Sequence, residues 1–349
     1  MNNSKSQSGF VMLLFVVILV VGATSYFVGN VKNYSAIFTL NKDLEERTEL
    51  DDIKDQLLLY AMNFSELYAN TSTSPYPNHP AVIRPGPGYL PCPYNRSTGA
   101  MSGDCSNYVV NAGADHTANP GYVIGFLPPK VSSRFFYFLG NYIPESSKND
   151  YLLVVDERFV YQNSFYNFTG ANATFRFAPL NDLLRIPFVT PAQTPVLRLN
   201  DDGKEYVALI IKPGGPNVYP APPAVPTLDQ TSLRPAPAGL PVDLSGYLDQ
   251  QFTDPALTIA APNDNQDGDF QFYTAGKDSL GVERFGVNDI IIGITYQEWQ
   301  DAVKDRICAQ QTQLMGTSPT VNFWFNVYAP GTNPTGSNWR GRVASGFCL

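Results

Sequence analysis

Four cysteines, Cys92, Cys105, Cys308 and Cys348, carry the most reactive side chains of this 349-residue chain, and their spacing decides their chemistry. No two stand as C-x-x-C, the spacing that tetrahedral zinc sites draw on, so an even set reads as disulfides. Of the three pairings that four cysteines allow, Cys92 with Cys105 and Cys308 with Cys348 close the shortest loops. On loop-entropy grounds they contribute about 3 and about 4 kcal/mol, clamping two regions rich in Gly, Asn and Ser. Oxidised cysteines imply a periplasmic or extracellular location.

The one metal-like stretch runs Asn263-Asp264-Asn265-Gln266-Asp267-Gly268-Asp269. Read as a calcium loop from Asn263, it offers oxygens at alternate positions and Gly268 at the sharp turn. Thr274, however, stands where a bidentate Glu is required. What is left is an irregular turn on Asp264, Asp267 and Asp269, either a calcium turn or a solvated acidic one. His79 and His116 lie in loops rich in Pro, Gly and Asn. None of H-E-x-x-H, G-x-S-x-G or G-x-x-x-x-G-K-[ST] occurs, and Gly86-Pro87-Gly88 lacks the third glycine and the preceding strand of a dinucleotide site. No enzyme is expected, and no cofactor beyond the candidate calcium. A net charge of -8 with scattered basic residues argues against nucleic acid as a partner.

The elements that must position these residues begin with an apolar run. Residues 10–31, 22 in all, carry no charge until Lys32, enough for a helix to span a bilayer core of about 30 Å. Soluble helices of that length keep a polar face. Two ways of cutting stay open. A signal peptidase acting after Val21-Gly22-Ala23 would release a soluble chain starting at Thr24; cleavage between Gly9 and Phe10 would keep the helix in the membrane.

From Leu50 the apolar positions Ile53, Leu57, Tyr60, Phe64 and Leu67 recur at helical spacing, with Glu49, Asp51, Asp52, Lys54 and Asp55 opposite. No Pro precedes Ser74, so an amphipathic helix over 32–70 can continue the membrane helix as a spine roughly 90 Å long. Region 71–349 then reads as globular. Strands are expected at Tyr151 to Val160, Ala173 to Ala178, Glu205 to Ile211, Phe270 to Tyr273 and Asp289 to Ile294, with a last one at Val321 to Tyr328. Nine prolines from Pro213 to Pro241 mark a loop or linker, neither strand nor helix, that leaves one or two globular lobes. Thr295 and Glu298 have capping-box spacing, opening a helix through Trp299, Val303 and Ile307. The expected class is α+β: a long N-terminal helix packed on a mainly antiparallel sheet.

The leader, with Lys5, Gly9 before the cut, Phe10 after it and an apolar helix beyond, resembles the prepilin segment of type IV pilins and type II secretion pseudopilins. Leu90-Pro91-Cys92-Pro93, followed by Gly103-Asp104-Cys105, resembles the L-P-C-P signature of large prepilin-type proteins. Tyr206 to Gly214 and Asn288-Asp289-Ile290-Ile291-Ile292 match further fragments in order. The resemblance implies a leader (1–9) removed by prepilin peptidase and N-methylation of Phe10. It also implies a single-pass helix in the bacterial inner membrane with the globular part periplasmic, and other pilin or pseudopilin subunits as partners. The implied function is a non-enzymatic minor subunit of a type IV pilus or type II secretion system.

Leu14 departs from the family at the fifth mature residue, where Glu usually pairs with a neighbouring subunit's N-terminal amine. A buried amine without its carboxylate is costly, so Leu14 disfavours repeated packing along a shaft and suits a filament tip. Tyr94-Asn95-Arg96-Ser97 also replaces the family's Asp-rich loop. The competing expectation is a secreted, disulfide-stabilised binding protein or adhesin released after Ala23.

Overall fold

Residues 46–64 form helix α1 because Leu50, Ile53, Leu57, Tyr60, Ala61 and Phe64 recur at three- and four-residue spacing, and all six are buried. Asp51, Asp52 and Asp55 face water. The computed structural model describes residues 46–64, 87–93, 109–110, 121–128, 151–160, 195, 197–200, 202–216, 218–219, 228–229, 247–249, 265, 269–276, 287–318, 325, 339–344 and 346–348. Leader 1–9, apolar run 10–31, the rest of helix 32–70, strand 173–178 and both histidines lie outside the described residues. The chain divides into two units, Met1–Glu49 and Leu50–Leu349, and the packing that follows is that of the second.

The fold is α+β. Five strands make one sheet: β1 (Val109–Val110), β2 (Tyr122–Phe126), β3 (Leu152–Asp156), β5 (Tyr206–Lys212) and β9 (Ile290–Thr295). They lie in that order with every neighbouring pair antiparallel. Two smaller pairs stand apart: β4 (Arg198–Leu199) runs parallel to β8 (Gln271–Phe272), and β6 (Val218–Tyr219) antiparallel to β7 (Leu228–Asp229).

The sheet is covered on both faces, which is why β2 and β3 are buried along their whole length. One face presents Val123, Leu153, Val155, Ala208, Ile210 and Ile294 to α1 and to Trp299, Val303 and Ile307 of α2 (Tyr296–Ala309). The opposite face presents Tyr122, Ile124, Phe126, Leu152, Val154 and Ile211 to Leu197, Leu199, Tyr247, Leu248 and Phe272. A bulge in β5 between Tyr206 and Ala208 inserts Val207 and sends it to the helix side with Ala208. Tyr206 therefore joins the second face, where its ring occupies the space a Cβ at Gly293 would need. Helices α3 (Gln311–Gly316) and α4 (Trp339–Ala344) follow α2.

Three sequence expectations change. The strand expected to reach Val160 stops at Asp156, where a 3-10 turn over Glu157–Phe159 begins. Glu157 holds that corner: its carboxylate accepts the Gly121 N–H at 2.6 Å, and its own N–H donates to the Gly121 carbonyl at 3.1 Å. The proline-rich stretch 213–241 was expected to hold no strand, yet it contains the β6–β7 ribbon, none of whose four ladder residues is itself a proline. Phe325, at the centre of the expected strand 321–328, sits buried in a turn with its carbonyl accepting the Arg340 N–H. The apolar strand β2, with Gly125 inside it, completes the sheet although its sequence carries no alternating pattern.

Candidate functional site

The seat of α1 is built by residues far apart in sequence. Thr295 caps α2: its hydroxyl accepts the Glu298 N–H at 3.2 Å, while Glu298 Oε2 accepts the Thr295 N–H at 2.8 Å. The other oxygen of Glu298 accepts Lys54 Nζ of α1 at 2.6 Å. Burial alone would raise the Glu298 carboxyl. The hydrogen bonds from Lys54 and Thr295 outweigh it and hold the group below its ordinary value.

Gly88 joins the C-terminal end of α1 to the first turn of α2. Its N–H donates to the Ala61 carbonyl at 2.7 Å, and its own carbonyl accepts the indole N–H of Trp299 at 2.7 Å. The backbone at Gly88 has φ +111°, and a Cβ there would meet Trp299 at 2.9 Å, so only glycine fits without displacing the indole. Leu90 of the L-P-C-P segment continues the joint, donating its N–H to the Phe159 carbonyl at 2.8 Å. Tyr89 packs on Phe64 at 5.4 Å and Phe159 meets Trp299 edge-on at 4.9 Å. The motif is thus part of the mortar between α1, α2 and the end of β3. Cys92 is disulfide-bonded, and Cys105 lies outside the described residues.

Cys308 and Cys348 form a disulfide with their Cα atoms 5.4 Å apart, tying the C-terminal segment to α2. Arg340 of α4 donates to the carbonyls of Leu314, Met315 and Thr317 at the end of α3, and its guanidinium lies over the Phe325 ring at 5.5 Å. Lys304 lies over Phe347, whose ring also meets Trp339.

Of the candidate calcium ligands, Asp264 and Asp267 lie outside the described residues, while Asp269 Oδ1 accepts the Gln271 N–H at 2.6 Å. The side-chain oxygen of Asn265, which a calcium loop would use, instead accepts the Tyr273 N–H at 2.7 Å. Among the described residues no cluster of three or more His, Cys, Asp or Glu side chains is arranged to hold a metal ion.

Sequence reasoning missed a buried carboxylate pair. Asp289, just before β9, and Asp249 are 0% and 1% exposed. Asp289 Oδ2 accepts the Asp249 N–H at 3.0 Å, and Asp249 Oδ2 accepts the Asp289 N–H at 2.8 Å, so each carboxylate holds the other's backbone. The only local signal was an acid placed directly before an isoleucine-rich strand.

Processing residues Gly9 and Phe10 and the departure at Leu14 lie outside the described residues. No described helix is long and apolar enough to cross a membrane. Comparison with protein-family models, curated proteins and solved structures finds no match to this chain.

Proposed function

We propose that the chain is a non-enzymatic minor pilin or pseudopilin subunit, seated at the tip of a type IV pilus or type II secretion filament. One observation carries the reading. An apolar run long enough to cross a bilayer precedes α1, and the apolar stripe of α1 is buried against one face of an antiparallel sheet whose strands follow it in chain order. That is the arrangement expected of a membrane-rooted spine carrying a periplasmic head. The leader ending in Gly9, followed by Phe10, supports cleavage there by prepilin peptidase, and Leu14 supports a tip place over a shaft place. The Cys308–Cys348 disulfide fits an oxidising compartment. The partners of this reading are the inner membrane, the peptidase and other pilin or pseudopilin subunits. A calcium role for Asp264, Asp267 and Asp269 is not part of it.

N-terminal sequencing of the mature protein tests the proposal. Phe10, carrying an N-methyl group, is the expected first residue, and Gly9→Leu should leave an uncut, membrane-retained precursor visible by gel mobility. A mature chain starting at Thr24 would instead assign the protein to the secreted binding proteins.

A further inference from the structure

We draw no further inference here: the strongest candidate, the exposed acidic side chains of the helix layer, Asp51, Asp52 and Asp55 on α1 with Asp301 and Asp305 on α2, is a cluster of carboxylates for which no second feature of the structure points to a ligand or partner.

Discussion

Glu298 divides its carboxylate between two duties, one oxygen capping α2 and the other receiving Lys54 from α1. Its side chain is 42% exposed, so the ion pair is screened and the cap carries the larger share. Glu298→Gln keeps the length and one acceptor but removes the charge. Stability should fall by about 1 kcal/mol near neutral pH, read from urea unfolding followed by circular dichroism. Because the carboxyl is held below its ordinary value, its contribution is complete above the unfolded-chain value and disappears as pH drops through the folded one. The gap between the two proteins should therefore narrow on acidification; an equal gap at every pH would mean that the charge contributes nothing.

At the scale of elements, the C-terminal end is fastened twice. Cys308–Cys348 clips the segment covalently to α2, while Arg340 closes the open carbonyls at the end of α3 and Trp339 and Val343 enter the main core. Cys348→Ser should leave a single titratable thiol at Cys308 and lower stability by about 2 to 5 kcal/mol. The protein should still fold, since α4 keeps its buried contacts. A variant in which no thiol reacts until the chain is denatured would show that the segment stays closed over Cys308 without the bond.

For the whole molecule, the tip proposal concerns copy number. If the subunit starts or caps a filament, no neighbouring amine has to be neutralised at Leu14, and an apolar side chain there suits lipid and helix packing alike. Deleting the protein should reduce the number of filaments, or the secretion of a cargo, while leaving shaft structure unchanged. Immunogold particles should mark filament ends or the membrane; labelling spread along shafts would place the protein among the repeating subunits instead.

What the sequence by itself determined about this protein is what short-range periodicity and capping control. The stripe from Leu50 to Phe64 is the buried face of α1, and Thr295 with Glu298 opens α2. The isoleucine-rich runs are β5 and β9 to within a residue of their expected ends. These follow from side chains a few residues apart, whose spacing is fixed by helix and strand geometry. β2 escaped notice because a strand covered on both faces loses its alternation, and a short apolar run with an internal glycine looks like many other things. Only the tertiary structure decided the rest. Lys54 finds Glu298 across 244 residues, only glycine fits at position 88 because Trp299 fills the space beside it, and Asp249 meets Asp289 across 40 residues. Whether a carboxylate is solvated or buried depends on which distant segment covers it, and local sequence holds no measure of that.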